Sequence, residues 1–324
     1  MDCKIITNDY TKESEDFVRK AEKENSWCLC IFFSVDFEGS TAYKVEARQT
    51  QGDDDWCSTF KSFYINFPLQ FLQQYDILDG HPFTYKPLHP ALWKFVGDEI
   101  LFYAPLTDSR QTLEHIRAFY QTIADYNIVL SKQDIKPRCK GTVWVAGFPV
   151  NNRIILIPNY ASNAIKPDDY SVDFVGISID CGFRLTKFAT SGKLVVSLDL
   201  LWMLADSLVS ERSITHFAFI RSKIRYAGRS ELKGVFSGKP YPVFWISMFS
   251  DNTIEGKWEN ATFCDCDSIL KFCDEIASST KSDFIKPFIA GNKAENFQYI
   301  PIEFEQQRNI IKGYCMNEIQ SDAD

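Results

Sequence analysis

The chain has 324 residues, of which 45% are hydrophobic, 24% charged and 15% aromatic, and its formal net charge at pH 7 is −8. This composition is typical of a globular protein with a sizeable core and excludes a disordered or fibrous chain. The negative charge argues against a broad basic face for nucleic acid, so an anionic small substrate would need a bound divalent cation or a few converging Lys and Arg side chains.

The first elements are a short charged helix and a buried strand. Residues 12–24 predict the helix, with Ser14 as its cap. The continuous apolar run Trp27–Val35 predicts a central strand that is buried on both faces. A polar turn is expected to follow at residues 36–41, where the apolar run stops at Asp36.

Aromatic residues at helical spacing predict a further helix over residues 58–75, with a break or kink at Pro68. Residues 77–90 read as a loop. Two apolar runs, at residues 91–96 and 100–104, flank the turn Gly97-Asp98-Glu99 and give the clearest hairpin pattern of the chain.

The strongest amphipathic pattern predicts a helix over residues 108–130, capped by Asp108 or Ser109. The remaining elements follow in chain order: strands at 141–150 and 153–158, a turn that runs into a helix at 173–185, a strand at 194–196, a helix at 197–206, strands at 214–220 and 242–248, and a helix at 268–277. Alternating strands and helices over residues 27–248 indicate an α/β or α+β domain.

Three segments are therefore expected: an N-terminal helical segment (1–26), a main domain (27–248) and a C-terminal extension (249–324). The extension has one short helix, is otherwise polar and irregular, and is expected to be disordered at its last residues.

The ten cysteines do not form a zinc-binding pattern, because the two C-x-C pairs at residues 28–30 and 264–266 lack a partner pair and a His at ligand spacing. We find neither a secretory signal at the N-terminus nor an apolar run long enough to cross a bilayer. Reduced thiols in the cytoplasm, without a membrane or nucleic-acid partner, are the expectation.

Two acidic residues, Asp36 and Asp98, stand at the ends of apolar runs that predict buried strands. If the two strands are neighbours, the carboxylates converge at one rim of the sheet. Paired carboxylates bind Mg²⁺ and leave its other positions for phosphate oxygens. Glu99 is expected to point away from Asp98, provided that both lie on a strand.

Four segments occur in an order that resembles the class III nucleotide cyclases. The family's first metal motif resembles FFSVDFEGSTAYK (32–44), and its K-x-x-G-D hairpin resembles WKFVGDEILFYA (93–104). The stretch that opens its catalytic helix resembles DFVGISIDCGFRL (173–185), and its late strand pair with a phosphate-binding Lys resembles ELKGV (231–235) followed by PYPVFWI (240–246). The resemblance covers roughly residues 28–248 and implies an α+β catalytic domain with a ferredoxin-like βαββαβ core.

The resemblance also implies roles for the matched residues. Two divalent cations, Mg²⁺ or Mn²⁺, would be held by Asp36 and Asp98 with help from the Phe37 backbone carbonyl. One metal would activate the ribose 3′-oxygen of a nucleoside triphosphate, and the other would neutralise the triphosphate. The base would be read by Lys94 and Asp173.

Two cationic side chains would act on the phosphates. Arg184 would stabilise charge on the α-phosphate in the transition state, and Lys233 would bind the terminal phosphates. In this family the metal-binding aspartates come from one protomer and the other groups from its partner, so the resemblance implies a homodimer with two composite sites.

The sequence departs from the family at Asp180, where the motif N-x-x-x-R usually has Asn. That Asn donates a hydrogen bond to the ribose ring oxygen, whereas an ionised Asp has no proton to donate. Asp180 therefore acts differently, is protonated, or accompanies weaker catalysis.

The base can be argued from hydrogen bonding. Lys94 donates and Asp173 accepts, which ranks ATP and CTP ahead of UTP and GTP. The continuation GSTAYK, the aromatic insertion from Trp56 to Pro68 and the lack of a sensor domain resemble the bacterial pyrimidine cyclases of Pycsar anti-phage defence. That resemblance implies cyclic CMP or cyclic UMP as the product and a separate effector protein as its reader; an adenylate cyclase and a non-catalytic nucleotide sensor are the alternatives.

Overall fold

The computed structural model describes residues 3–50, 54–76, 85–158, 170–212, 215–250, 253–259, 262–280, 284–291 and 295–321. Within them the helices are α1 (Cys3–Lys23), α2 (Ser40–Thr50), α3 (Asp54–Asp76), α4 (Gln111–Lys132), α5 (Ile177–Leu185), α6 (Leu198–Ser210), α7 (Ala218–Arg221), α8 (Ile254–Glu259), α9 (Cys266–Thr280) and α10 (Ile302–Ser321). The strands are β1 (Cys28–Glu38), β2 (Ala91–Val96), β3 (Glu99–Leu106), β4 (Arg138–Phe148), β5 (Asn152–Pro158), β6 (Tyr170–Gly176), β7 (Lys193–Val196), β8 (Ile224–Ser230) and β9 (Tyr241–Ser247).

The main sheet has seven strands in the order β2-β3-β1-β4-β7-β9-β8. Only β4 and β7 pair in parallel, and every other neighbouring pair in this sheet is antiparallel. The elements from β1 to β4 follow the sequence βαββαβ, with α2 and α3 in the first crossover and α4 in the second. The predicted α+β class with its βαββαβ core is confirmed.

Strand β1 lies in the middle of this core and is covered on both faces, as its continuous apolar sequence predicts. The side chains of Ile31, Phe33 and Val35 belong to a large cluster that includes residues of α3, α4 and α6. On the opposite face Cys30 and Phe32 belong to a second cluster with residues of α1, β5, β6 and α5. Alternation along the strand therefore directs odd-numbered and even-numbered side chains to different layers.

Both ends of the chain pack onto this domain. Phe284 stacks on Trp202 of α6 at 5.8 Å between ring centroids, and several side chains of α9 belong to the large cluster. In α10, Glu305 accepts a hydrogen bond from Trp27 Nε1 at 3.1 Å. The division of the chain at residues 26 and 248 stays a prediction.

Several predicted elements differ from the observed ones. The strand expected at 214–220 is wrong: residues 215–221 form a 3₁₀ turn and α7, and the strand lies at Ile224–Ser230. Ser14 is not a cap, because α1 already begins at Cys3, and its hydroxyl donates to the His89 carbonyl instead. Helix α3 continues through Pro68, and α10 forms where irregular chain was expected.

The remaining outcomes concern boundaries and termini. The helix expected at 108–130 is confirmed, but it begins at Gln111 without a side-chain cap. Residues 77–84 of the predicted loop and the last three residues of the predicted disordered end lie outside the described residues. None of the helices formed by the described residues combines the length and apolar character needed to cross a membrane.

A buried histidine on α4 gives the fold a pH dependence. His115 is fully buried, and its Nδ1 lies 2.7 Å from the Tyr75 hydroxyl. Burial, helped by the neighbouring His89, lowers the pKa of His115 to about 3. Because the unfolded chain then binds a proton that the folded chain does not, stability falls as the pH drops below about 6.5.

We expect His115 to lower the free energy of unfolding by up to about 2 kcal/mol when the pH falls from 6.5 to 5. Urea unfolding at both pH values should show a smaller difference for His115→Asn than for the unchanged chain. The exposed His216 provides the control, since His216→Asn should retain the full difference. Equal differences in all three proteins would contradict the assignment to His115.

Candidate active site

The first candidate metal ligand, Asp36, lies on strand β1 and not in a turn, because β1 extends to Glu38 before the chain bends at Gly39. The expected turn at residues 36–41 is therefore reduced to Gly39, because residues 36–38 belong to β1 and residues 40–41 begin α2. Position 36 is on the same face as Phe32 and Ser34, and it stands opposite Lys140 in the antiparallel pairing with β4. The Lys140 Nζ lies 3.1 Å from the Asp36 Oδ2.

The second candidate ligand, Asp98, occupies the tight turn between β2 and β3. The turn needs a positive φ of 62° at Gly97, which glycine adopts without steric cost. The Tyr64 hydroxyl of α3 donates a hydrogen bond to the Gly97 carbonyl and holds the turn against the aromatic helix. Because β3 is the direct neighbour of β1, this turn and the C-terminal end of β1 lie at the same end of the strands.

Asp98 lies close enough to Asp36 to act on the ionisation of that carboxylate. Burial raises the pKa of Asp36, the Lys140 ammonium lowers it, and the Asp98 carboxylate raises it, with a net upward shift. The premise of the prediction is wrong, because β2 is not a neighbour of β1 and β3 lies between them. The two residues approach each other because Asp98 is in the turn that leads into β3.

A third carboxylate, Glu99, joins them. Its side chain accepts a hydrogen bond from the Ser34 hydroxyl on β1. Burial raises the pKa of Glu99, and both Asp36 and Asp98 act on it in the same direction. The expectation that Glu99 points away from Asp98 assumed strand alternation, which does not hold because Asp98 is in the turn. We call Asp36, Asp98 and Glu99 the carboxylate cluster.

The carboxylate cluster fits a divalent cation by its donor chemistry, since Mg²⁺ and Mn²⁺ prefer oxygen ligands. Three carboxylates share one edge with a single nearby ammonium, and the raised pKa values of Asp36 and Glu99 are what crowded, partly buried negative charges produce. Within the described part of the chain, no group of three or more His, Cys, Asp or Glu is arranged so that it could hold a metal ion. A cation would be held by Asp36 and Asp98, and phosphate oxygens of a substrate would fill its remaining positions.

Phe37 is fixed on both its backbone and its ring. Its N–H donates to Asp36 Oδ1 at 2.8 Å, which orients that carboxylate. Its ring stacks on Phe63 of α3 at 4.2 Å between centroids. Helix α3 therefore holds Phe37 in position through Phe63, and the Phe37 carbonyl is a candidate metal ligand beside Asp36 and Asp98.

The candidate base-reading residues Lys94 and Asp173 form an ion pair, with 2.8 Å between Lys94 Nζ and Asp173 Oδ1. The same Oδ1 accepts from Trp93 Nε1 and from the Phe174 N–H, each at 2.9 Å. Although partial burial opposes it, these donors together lower the pKa of Asp173. Asp173 lies on β6 and not in the turn that the sequence suggested, and it remains an ionised acceptor near neutral pH.

The candidate transition-state residue Arg184 is half-buried in the last turn of α5. Its Nη1 donates to the Asp180 carbonyl at 3.1 Å, and the Asp180 side chain is exposed. The helix packs closely on β4, because a Cβ at Gly182 would lie 2.2 Å from the Trp144 ring. Glycine at position 182 therefore lets α5 approach the sheet and sets the position of Arg184.

The candidate phosphate-binding Lys233 is exposed in the loop between β8 and β9. This loop passes beside α5, since a Cβ at Gly234 would lie 4.0 Å from the Arg184 Nη2. Lys187 reaches the same loop, with its Nζ 3.4 Å from the Glu231 carbonyl. The fold thus brings two predicted cationic residues, Arg184 and Lys233, into one region.

The candidate residues fall into three groups in a single chain. They are the carboxylate cluster, the Lys94–Asp173 pair and the Arg184–Lys233 region. Within the described residues, no hydrogen bond or ion pair joins the Lys94–Asp173 pair to the carboxylate cluster or to Arg184.

Sequence reasoning missed Lys140, Trp93 and Tyr64. Lys140 is one of two charged residues at the start of β4, with Arg138, but its contact with Asp36 depends on the register between β1 and β4. Trp93 adjoins Lys94 in the matched hairpin, but the direction of an indole N–H is not encoded in that pattern. The contact of Tyr64 with Gly97 depends on how α3 crosses the sheet.

No protein-family model matches this chain, and no curated protein matches it. Among solved structures, the adenylyl cyclase CyaB from P. aeruginosa is similar at 10% identity and a TM-score of 0.47, covering 70% of this chain and 98% of that one. The guanylate cyclase domain of RhGC from Catenaria anguillulae, in complex with GTP, is similar at 11% identity and a TM-score of 0.44, covering 68% and 95%. The guanylyl cyclase Cya2 is similar at 14% identity and a TM-score of 0.38, covering 71% and 96%.

Proposed function

We propose that this chain is a nucleotide cyclase, a phosphorus–oxygen lyase that converts a nucleoside triphosphate to a 3′,5′-cyclic nucleotide and pyrophosphate. The observation that carries the proposal is the convergence of Asp36 and Asp98, from β1 and the β2–β3 turn, at one edge of the sheet. The matched motifs predict these two carboxylates as metal ligands, and the effect of Asp98 in raising the pKa of Asp36 supports the proposal.

Cyclisation is an in-line attack of the ribose 3′-oxygen on the α-phosphorus, so positioning and charge neutralisation matter more than a special nucleophile. Asp36 and Asp98 would hold two divalent cations, Mg²⁺ or Mn²⁺, with the Phe37 carbonyl as a further ligand. When bound, the cations would supply Lewis-acid activation of the 3′-oxygen and neutralisation of the triphosphate.

The chain's own cations would bind the phosphates. Arg184 presents a planar guanidinium suited to the α-phosphate oxygens, where negative charge grows during attack. Lys233 is exposed on the adjoining loop and would bind the terminal phosphates, which leave as pyrophosphate. The chain has a net charge of −8, so an anionic triphosphate would bind only where positive charge is locally concentrated. Arg184 and Lys233 would provide that local positive charge.

The Lys94–Asp173 pair would read the base. Three donors occupy Asp173 Oδ1, so Oδ2 is the oxygen available to accept from a base amine or ring N–H. The Lys94 ammonium has further protons to donate to a ring nitrogen or carbonyl. This donor–acceptor set supports cytosine and adenine, and with the motif resemblance we propose CTP or UTP as the substrate and ATP as the alternative.

The active form would be a homodimer. The three separate groups of candidate residues support a composite site in which one protomer supplies the carboxylate cluster and its partner supplies Lys94, Asp173, Arg184 and Lys233. We further propose that the protein acts in the cytoplasm in anti-phage defence of the Pycsar type, where a separate effector protein would read the cyclic CMP or cyclic UMP.

A second candidate function, nucleotide sensing without turnover, is favoured by one observation. Asp180 stands where the resembled family has Asn, and its exposed carboxylate offers the ribose an acceptor in place of a donor. A sensor would gain thermal stability with a nucleotide but would form no pyrophosphate. Restoring the donor with Asp180→Asn would then create turnover that the unchanged chain lacks.

The deciding experiment is to incubate the purified protein with Mn²⁺ and each of ATP, GTP, CTP and UTP separately, and to identify the products by mass. A cyclic pyrimidine nucleotide would support the whole proposal. Cyclic AMP alone would retain the cyclase and replace the substrate. No cyclic product from any of the four, with the dimer intact, would favour the sensor.

The base-reading assignment predicts a change of substrate in Lys94→Glu. The new carboxylate cannot donate a hydrogen bond and would repel Asp173. The kcat/KM for the preferred nucleotide, relative to that for GTP, should therefore fall by about tenfold to 100-fold. The ratio of kcat/KM values for the four nucleotides measures this change. Lys187→Glu makes the same charge change near the phosphates and should leave the ratio between bases unaltered; an unaltered ratio in Lys94→Glu as well would show that Lys94 does not read the base.

A further inference from the structure

Lys140 is a half-buried lysine that directly faces a candidate metal ligand. It stands opposite Asp36 in the β1–β4 pairing, so the two side chains leave the sheet on the same face. Their charged atoms are 3.1 Å apart, and the two side chains are only 23% and 28% exposed. An ion pair of this geometry, partly shielded from water, is stronger than an ordinary surface pair.

The Lys140 ammonium lies beside the carboxylate cluster. It contacts Asp36 directly, and Glu99 lies at the same end of β1, because Glu99 accepts a hydrogen bond from Ser34 on the face that carries Asp36. The ammonium therefore lies at the end of the sheet where the carboxylates are concentrated.

An ammonium and a divalent cation at the same carboxylate oxygen repel each other strongly in a partly buried site, so each weakens the binding of the other. We propose that Lys140 is a resident counter-ion of the carboxylate cluster that competes with the divalent cation for Asp36. The proposal deepens the proposed function, because it rests on Asp36 being a metal ligand.

The chemistry of lysine suits a replaceable counter-ion. Its charge sits at the end of a flexible four-carbon chain, so the ammonium can turn away while the backbone of β4 stays in the ladder. Lys140 thus neutralises part of the charge of Asp36 in the metal-free protein and has to give up this contact when a cation binds the same carboxylate.

The test is a titration of the whole chain with Mn²⁺ in the absence of nucleotide. Electron paramagnetic resonance measures the concentration of free Mn²⁺ at each step, which gives the dissociation constant. Lys140→Met removes the charge and keeps the length of the side chain. It should bind Mn²⁺ on the order of tenfold more tightly than the unchanged chain, because a charge-assisted hydrogen bond no longer has to be broken. Lys140→Arg keeps the positive charge and should not gain affinity.

Lys136→Met is the matched control for net charge. Lys136 is a largely exposed lysine that lies just before β4 and pairs with Glu46 of α2, so its loss should leave the Mn²⁺ affinity unchanged. Circular dichroism checks the folding of each variant. Lys140→Gln, which keeps a polar group, replaces Lys140→Met in the titration if the methionine variant does not fold.

The outcomes separate the counter-ion from the metal site itself. Tighter binding in Lys140→Met alone supports the counter-ion. Unchanged or weaker binding in Lys140→Met, with binding abolished in Asp36→Asn, overturns the counter-ion and retains the metal site. No Mn²⁺ bound by any of the proteins overturns both, and an equal gain in Lys136→Met reduces the effect to net charge and overturns the counter-ion.

Discussion

Replacing Asp98 with Asn is expected to lower metal-dependent turnover by about 1000-fold or more, because the substitution removes one of the two carboxylates that would hold the cations. The fold should tolerate the change. Asp98 lies in the turn between β2 and β3, where Asn is as acceptable as Asp. Loss of a negative charge beside Asp36 also relieves like-charge repulsion in the carboxylate cluster.

The measurement is the rate of pyrophosphate release with saturating Mn²⁺, together with a thermal melt of the same preparation. Asp274→Asn is the matched control: it makes the same chemical change at an exposed position of α9, and it should keep both the rate and the melting temperature. A rate for Asp98→Asn within a few fold of the unchanged chain would refute the two-metal assignment. A low rate with a collapsed melt would show a folding defect and would move the test to Asp36→Asn.

The central fold could be predicted from the sequence because the pattern of β1 constrains it. A continuous apolar run such as Trp27–Val35 needs cover on both faces, and only a sheet between two layers supplies it. The hairpin around Gly97 then sets β2 and β3 beside it. The strand expected at 214–220 was wrong because a short apolar run does not distinguish a strand from a short helix, and tertiary packing decides between them.

Strand ends and matched motifs predicted individual residues of the site but not the contacts between them. Asp36 and Asp98 follow from the end of an apolar run and from a hairpin turn, although the strand next to β1 is β3 and not the strand before Asp98. Lys140 does not follow, since its partnership with Asp36 depends on the register between β1 and β4, and a shift of one residue would place the ammonium on the opposite face. Registers between strands that are far apart in the sequence are set by packing and leave no local signal.

The same limit applies to Asp173. The sequence identifies it as an acceptor, but its state depends on three donors from two different strands that meet at one oxygen. This crowding keeps Asp173 ionised and leaves one oxygen for the base, which no spacing rule predicts. The hydrogen bonds around a site can therefore be identified only from the three-dimensional structure, even where the residue types are already known.

Mixing two inactive variants is expected to restore activity if the site is composite. Asp98→Asn disables the carboxylate cluster, and Arg184→Ala removes the guanidinium that the partner would supply. Each variant alone should be inactive in both sites of its dimer. A mixed dimer, however, contains one site built from the intact carboxylate cluster of one protomer and the intact Arg184 of the other.

When the two variants are dissociated, mixed in equal amounts and reassociated, half of the dimers are mixed and one site in each is intact. Recovered turnover should therefore approach about a quarter of that of the unchanged protein. A mixture of Asp98→Asn with Asp36→Asn is the matched control, because both changes lie in the same half of the site and no intact site can form. Recovery in neither mixture, with mixed dimers verified by mass, would place all catalytic groups in one protomer. The three groups of candidate residues would then have to close around the substrate within a single chain.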